Sequence, residues 1–128
     1  MTSSTIRVLV VDDEEIIRIN LVAFLEDEGF YVLSAGSCEE ALELLAVQTV
    51  DTAVVDIRLP RMDGNDFIVK AHEMHPKTKF VVYTGSTSYT LPETFISLGI
   101  SVDHVFKKPL DDIGILAQAI RQLIDREQ

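Results

Sequence analysis

Residues 6–13 read IRVLVVDD, a nearly unbroken apolar run that is ended by two aspartates. A run of this kind, without alternating polar residues, is typical of a strand covered on both faces, as the strands of parallel sheets are. The pattern recurs along the chain, and its fifth occurrence is diluted by Asp103 and His104. The apolar runs predict strands at residues 6–11, 31–34, 52–55, 80–83 and 102–106.

A helical pattern follows each predicted strand. Apolar residues three and four positions apart predict helices over residues 14–28, which Gly29 closes, and over residues 113–124. Three further helices are indicated. A capping box at residues 37–40 opens a helix through about Val47, and Pro92 lies in the first turn of a short helix that ends near Gly99. The helix between them is marked by Phe67, Ile68, Ala71 and Met74 and is stopped by Pro76. Five strand–helix units imply an α/β fold in which a parallel sheet carries helices on both faces.

Length, composition and charge limit the classes of function. A chain of 128 residues fits one domain, which we place at residues 6–126 after a disordered tail at residues 1–5. The net charge of −10 disfavours direct binding to a nucleic-acid backbone. Cys38 is the single cysteine, so an intrachain disulfide is excluded, and we expect it on a helix surface. The start lacks the features of a signal peptide, and no apolar run approaches the roughly 20 residues that span a bilayer. These features predict a cytoplasmic location and no membrane partner.

Polar side chains stand where the predicted strands end. Asp12 and Asp13 follow the first strand, Asp56 the third, Thr84 the fourth and Lys108 the fifth. The carboxyl ends of parallel strands meet at one edge of a sheet, where ligands of such folds bind. We therefore expect these five side chains to share one site.

Three carboxylates in one site repel each other unless a cation neutralises them. Oxygen ligands suit Mg²⁺, and the absence of His and Cys from the set argues against zinc. The ammonium of Lys108 and the hydroxyl of Thr84 can hold phosphoryl oxygens while an aspartate attacks phosphorus. The set predicts phosphoryl transfer to a carboxylate.

Four motifs occur in a specific order: VDD at residues 11–13, DIRLPRMDG at residues 56–64, TG at residues 84–85 and KP at residues 108–109. Together they resemble the motifs of receiver domains of response regulators in two-component phosphorelays. The resemblance spans essentially the whole chain. It implies a flavodoxin-like (βα)5 domain whose five-stranded parallel sheet has the order 2-1-3-4-5.

The resemblance also implies a metal site. Asp12, Asp13 and Asp56 would hold Mg²⁺, directly or through water, and the backbone carbonyl of Arg58 would complete the protein ligands. Mn²⁺ is expected to substitute for Mg²⁺. The domain would be a phosphoprotein that assists its own phosphotransfer and autodephosphorylation, and not an enzyme for a separate substrate.

The resemblance further assigns Asp56 as the phosphoacceptor, forming 4-aspartylphosphate from the phosphohistidine of a sensor histidine kinase or phosphotransfer protein. Thr84 would move toward the phosphoryl group, Lys108 would pair with it, and the Lys108–Pro109 bond would be cis. A downstream partner or output domain would bind the face formed by the fourth helix, fifth strand and fifth helix. A dimer through that face is left open.

Some positions depart from the family pattern. The aromatic residue usual three positions before the site lysine is replaced by Val105, and strand alternation places Phe106 on the opposite face. Lys107 is predicted to be a solvated neighbour of Lys108, because only Lys108 directly precedes the proline. Arg58 and Ser86 are hypothesised to flank the phosphoryl group and tune attack by water.

Three rival functions compete with this interpretation. A haloacid-dehalogenase-type phosphatase would carry a second aspartate where Arg58 stands, and the chain shows no cap domain. An FMN-binding flavodoxin is suggested by the hydroxyl-rich residues 84–88, but such a loop normally follows the first strand. The remaining alternative is a receiver-like module that acts through contacts, without phosphorylation. The three histidines, His72, His75 and His104, have no ligand spacing and are expected at the surface.

Overall fold

The structure is a computed structural model that describes residues 5–58, 63–86 and 88–125. Five strands alternate with four α-helices and two 3₁₀ helices in that part of the chain. The strands are β1 (Arg7–Val11), β2 (Tyr31–Ala35), β3 (Thr52–Val55), β4 (Lys79–Thr84) and β5 (Val105–Lys107). The α-helices are α1 (Glu15–Asp27), α2 (Cys38–Val47), α3 (Gly64–Met74) and α4 (Gly114–Asp125), and the 3₁₀ helices are Glu93–Leu98 and Val102–His104.

The five strands form one parallel sheet in the order β2-β1-β3-β4-β5. This is the flavodoxin-like order that the sequence motifs imply. Chain order reverses at β1, whose neighbours are β2 and β3, so a crevice lies at its carboxyl end. The predicted fold class is confirmed.

Alternating residues of the strands bury two separate apolar cores. Leu9 and Val11 point to the face covered by α2, α3 and the first 3₁₀ helix. Val8 and Val10 point to the opposite face, which α1 and α4 cover. Burial of β1 on both faces explains why its sequence lacks the polar alternation of a half-exposed strand.

Local chain signals act largely as the sequence predicts. Gly29, with φ of 96°, ends α1 in the left-handed region where a side chain would be strained. The hydroxyl of Ser37 accepts a hydrogen bond from the Glu40 N–H at the start of α2. The Glu40 carboxylate accepts from the N–H of Gly36 at 2.7 Å, one residue before the partner expected in a capping box.

The segment before β5 differs from its predicted structure. Residues 102–104 form a 3₁₀ turn, and β5 begins only at Val105. Ser101 caps this turn by accepting from the Asp103 N–H, and Val102 is 72 % exposed, so Val102 does not contribute to a buried strand face. The short helix before Gly99 is likewise 3₁₀, and Pro92 precedes it as the N-cap.

Several side chains lie deeper or shallower than expected. Cys38 is fully buried, because the first turn of α2 packs onto the sheet. His104 is also buried, whereas Met74 is 40 % exposed and lies outside the core. His75 contacts the backbone carbonyl of Leu45 at 2.7 Å from Nε2. The expected surface positions of Cys38 and His104 are therefore wrong.

Parts of the sequence-based prediction fall on residues that the structure does not describe. The predicted tail at residues 1–5 is described only at Thr5, and the predicted domain end at residue 126 lies outside the described ranges. Within those ranges, every helix is too short or too polar to cross a bilayer.

Candidate functional site

Backbone pairing brings four of the predicted site residues to one edge of the sheet. The Asp12 N–H donates to Ala35 O at 3.1 Å, and the Asp56 N–H donates to Val11 O at 2.9 Å. The Lys108 N–H donates to Thr84 O at 2.8 Å, which extends the β4–β5 pairing beyond the strand end. The convergence expected from strand order is therefore present.

The acidic side chains meet at this edge. Asp12, Asp13 and Asp56 each offer a carboxylate oxygen, and the three oxygens lie within 4.8 Å of one another. Asp12 and Asp56 are 2 % and 4 % exposed, whereas Asp13 faces solvent. Three hard oxygen donors open to solvent on one side match the preference of Mg²⁺, which keeps several waters. The donor set fits such a cation.

Lys108 extends into the same cluster and contacts three carboxylates. Its Nζ lies 2.6 Å from Asp12 Oδ2, 3.1 Å from Glu14 Oε1 and 3.3 Å from Asp56 Oδ2. Burial alone lowers the pKa of Lys108, but the hydrogen bond to Asp12 and the surrounding negative charges outweigh it, and the pKa lies above its ordinary value. The ammonium therefore stays charged in the pocket.

Further hydrogen bonds hold the buried carboxylates. Asp12 Oδ1 accepts from the Glu14 N–H at 2.9 Å, and Asp56 Oδ1 accepts from the Arg58 N–H at 3.1 Å. Burial raises the pKa of Asp12, and its bonds to Lys108 and Glu14 offset part of that rise. The pocket thus keeps two desolvated carboxylates in fixed orientations beside one ammonium.

Comparison with known proteins decides the family. The family model for the response regulator receiver domain matches residues 8–126. The chain belongs to that family.

Relatives of this receiver domain include longer regulators and solved single domains. The transcriptional regulatory protein AruR of Pseudomonas aeruginosa is 34 % identical over 125 residues, which cover 94 % of this chain and 50 % of AruR. A response regulator receiver domain protein (CheY-like) from Methanospirillum hungatei is 31 % identical, with a TM-score of 0.81 and 97 % and 98 % of the two chains covered. The response regulator TrrA from Thermotoga maritima, in complex with Mg(2+)-BeF, is 25 % identical, with a TM-score of 0.80 over 93 % and 99 % of the chains. The receiver domain spans about half the length of AruR.

The fourth strand presents Thr84 at the pocket edge, where the residue is fully buried. Its Oγ1 accepts a hydrogen bond from the Ser86 N–H at 3.1 Å. The hydroxyl proton of Thr84 is not used by that bond and can be donated to another acceptor. The geometry places a buried donor on the side of the site opposite β1.

Lys107 is not the solvated neighbour that the sequence suggested. Its Nζ donates to the carbonyls of Ser86 at 2.9 Å and Tyr89 at 3.2 Å, and lies 5.5 Å from the centre of the Tyr89 ring. The Tyr89 hydroxyl in turn donates to Asn65 Oδ1 in α3 at 2.9 Å. Lys107 therefore fastens the segment after β4 to β5, and Tyr89 fastens it to α3.

The departure at the fifth strand is confirmed in the structure. Val105 packs into the core beneath α2 and α3, and Phe106 packs into the opposite core with α1 and α4. The Lys108–Pro109 bond is cis, as the motif implied. No aromatic side chain stands at position 105 to move inward.

The sequence motif contains Gly64, but the packing role of Gly64 and the contacts of Glu14 and Arg18 near the pocket were not predicted. A Cβ on Gly64 would lie 2.6 Å from the Asp56 carbonyl oxygen, so only glycine lets α3 begin this close to the backbone of Asp56. Glu14 contacts Lys108, and Arg18 Nη1 donates to the Asp12 carbonyl at 2.8 Å. Helical spacing could have predicted that Glu14 and Arg18 lie near the pocket, because residues four apart share a face of a helix and their side chains point toward its N-terminus.

Proposed function

We propose that this receiver domain accepts a phosphoryl group on Asp56 from the phosphohistidine of a sensor histidine kinase or phosphotransfer protein, with the help of Mg²⁺. The observation that carries the proposal is the meeting of three carboxylates within 4.8 Å, with the Lys108 ammonium 3.3 Å from Asp56. Asp56 is the member that follows β3 and contacts both Lys108 and the Arg58 N–H.

Asp12, Asp13 and Asp56, together with the backbone carbonyl of Arg58, would hold Mg²⁺, and Mn²⁺ would replace it. The cation, when bound, offsets the charge of the carboxylates and of the phosphoryl oxygens. The TrrA relative is described as a complex with Mg(2+)-BeF, which supports Mg²⁺ as the ion for this site. The exposed side of Asp13 leaves room for waters and for the incoming group.

In the transfer, a carboxylate oxygen of Asp56 attacks phosphorus. The phosphorus–nitrogen bond of the phosphohistidine breaks, its electron pair returns to the imidazole, and an acyl phosphate forms on Asp56. Lys108 remains protonated and stabilises the negative charge that gathers on the phosphoryl oxygens. Its contact with Asp12 at 2.6 Å must loosen for the ammonium to follow that charge.

Thr84 would couple phosphorylation of Asp56 to a structural change in β5. Its hydroxyl can donate to a phosphoryl oxygen, and movement of Thr84 shifts Ser86, whose N–H and carbonyl are tied to Thr84 and Lys107 respectively. The resulting change in β5 would alter the face made by residues 93–98, β5 and α4, where a downstream partner or output domain would bind. The greater length of AruR supports an output domain in relatives. Arg58 and Ser86 would set the rate of autodephosphorylation.

Phosphorylation by a small donor tests this function. Incubation of the full chain with acetyl phosphate and Mg²⁺ should add one phosphoryl group to the intact mass, and Asp56→Asn or excess EDTA should prevent it. Asp27→Asn, which removes an exposed carboxylate at the far end of α1, serves as the matched control and should behave as wild type. An adduct that persists in Asp56→Asn would refute the acceptor assignment. A wild-type protein that takes no phosphoryl group from any donor would favour the alternative, a module that acts through contacts alone.

A further inference from the structure

The carbonyl of Asp12 is held by a side chain outside the phosphoryl-transfer set. Arg18, one turn into α1, directs Nη1 at this carbonyl oxygen with a distance of 2.8 Å. The Arg18 side chain is half-buried, so the guanidinium is shielded and its hydrogen bond to the carbonyl is charge-assisted. The bond joins the start of α1 to the end of β1.

The Asp12 carbonyl belongs to the peptide that links Asp12 to Asp13. Because the peptide unit is planar, fixing its oxygen also fixes the position of the Asp13 Cα. The Asp12 carboxylate has its own partners in Lys108 and the Glu14 N–H. The Asp13 carboxylate is exposed and has no hydrogen-bond partner among the described residues, so its direction depends on the backbone.

We propose that Arg18 is a positioning residue for the divalent cation, which aims the Asp13 carboxylate into the pocket by anchoring the Asp12–Asp13 peptide. The inference rests on the proposed metal-assisted function and adds a residue to it. Partners that orient metal ligands from outside typically account for about 10-fold or more in metal affinity.

Gly36, in the loop between β2 and α2, supplies independent support for a fixed guanidinium. A Cβ at this position would lie 3.1 Å from Arg18 Nη1, closer than an ordinary contact. The Gly36 N–H is bound to Glu40, which holds the loop beside Arg18. The absence of a side chain at Gly36 therefore leaves the space that the guanidinium occupies.

The charge of Arg18 and its role as an anchor predict opposite changes in cation affinity when Arg18 is removed. A guanidinium in contact with Asp12 repels a cation bound to the Asp12 carboxylate, so removal of its charge alone would tighten cation binding. Removal of the anchor would weaken binding, because Asp13 would lose its direction. A direct binding measurement separates the two effects.

The test is a titration of the metal-free full chain with Mn²⁺, followed by electron paramagnetic resonance of the free ion. Arg18→Met should bind Mn²⁺ roughly 10-fold more weakly than wild type. Arg121→Met is the matched control, because Arg121 donates to the carbonyl of Glu28 at 2.8 Å at the other end of α1. Its Mn²⁺ affinity should equal that of wild type.

Gly36→Ala keeps the charge of Arg18 and only displaces the guanidinium, so it should weaken Mn²⁺ binding to a smaller degree. Added to Arg18→Met, the same substitution should have no further effect. Mn²⁺ binding by Arg18→Met that equals or exceeds that of wild type overturns the inference. If Arg18→Met does not fold, Mn²⁺ binding by Gly36→Ala that equals that of wild type overturns it instead. A wild-type protein that binds no Mn²⁺ would instead refute the proposed metal-assisted function itself.

Discussion

The two sides of the pocket are held in different ways. On the side of β1, Asp12 is bound through its N–H to Ala35, through its carbonyl to Arg18 and through its carboxylate to Lys108 and Glu14. On the side of β4, the segment that follows Thr84 depends on side chains from other elements, since Lys107 lies in β5 and the partner of Tyr89 lies in α3.

The difference separates a rigid binding side from a responsive side. Four bonds around one residue leave Asp12 little freedom, which suits a ligand that must hold a cation in one geometry. Lys107 and Tyr89 instead bridge three elements, so the proposed shift of Thr84 would be passed to β5 and α3. This connection would offer a route for a response that needs no aromatic side chain at position 105, where this chain has Val105.

Lys108→Met should have the largest effect. The Lys108 side chain contacts Asp12 on the side of β1, and its backbone N–H pairs with Thr84 on the side of β4. Loss of the ammonium should reduce phosphorylation by about 100-fold or more. It also leaves the buried carboxylates of Asp12 and Asp56 without the positive charge of the ammonium. In EDTA, where Mg²⁺ is absent, this should lower the free energy of unfolding by about 3 kcal/mol. Urea denaturation should show that Mg²⁺ restores much of this loss. Lys70→Met, at an exposed site of α3, is the control, and equal losses with and without Mg²⁺ would contradict the account.

Lys107→Met should affect the responsive side alone. The variant loses two charge-assisted bonds to the carbonyls of Ser86 and Tyr89, and its free energy of unfolding should fall by about 1–2 kcal/mol. Mn²⁺ affinity should stay at the wild-type value, in contrast with Arg18→Met. A loss of Mn²⁺ affinity as large as that of Arg18→Met would remove the distinction between the two sides.

Arg58→Ala addresses hydrolysis of the phosphorylated form. Arg58 is exposed and lies two residues after Asp56, so its long cationic side chain can exclude the attacking water. We expect the half-life of the aspartyl phosphate to shorten several-fold, as measured by the decay of the mass adduct after removal of donor. Ser86→Ala gives the corresponding test from the segment after β4. An unchanged half-life in Arg58→Ala would discard the role of Arg58.

Tyr89 should give the smallest effect, through the pH dependence of stability. Burial, with a contribution from Asp63, raises the pKa of Tyr89 from 10.0 to about 12. Because the folded state binds this proton more tightly than the unfolded state, the contribution is complete below pH 10 and is lost as the pH rises through 12. Wild type should therefore lose thermal stability relative to Tyr89→Phe across this range. Parallel curves for the two proteins would argue against a buried, hydrogen-bonded hydroxyl.

The sequence predicted the sheet and the pocket because both depend on short-range patterns. Apolar runs mark buried strands, and the order of strands in a parallel sheet then brings Asp12, Asp56 and Lys108 to one edge. The family motifs supplied the strand order. For these features, local pattern and tertiary structure agree.

What the sequence did not predict depends on contacts between distant residues. The partners of Lys107 are backbone carbonyls in another loop, and a carbonyl leaves no trace in the sequence. Cys38 stands between polar neighbours, but α2 packs its first turn against the sheet. At residues 102–104 the hydroxyl of Ser101 captures a backbone N–H, and this local bond prevails over the weak strand pattern.

The site of phosphorylation is the most direct test of the central claim. After incubation with acetyl phosphate and Mg²⁺, borohydride reduction converts an aspartyl phosphate to homoserine, and peptide mass spectrometry locates the modified residue. The account predicts homoserine at position 56 and at no other aspartate. Homoserine at position 12 or 13, with Asp56 unmodified, would contradict it.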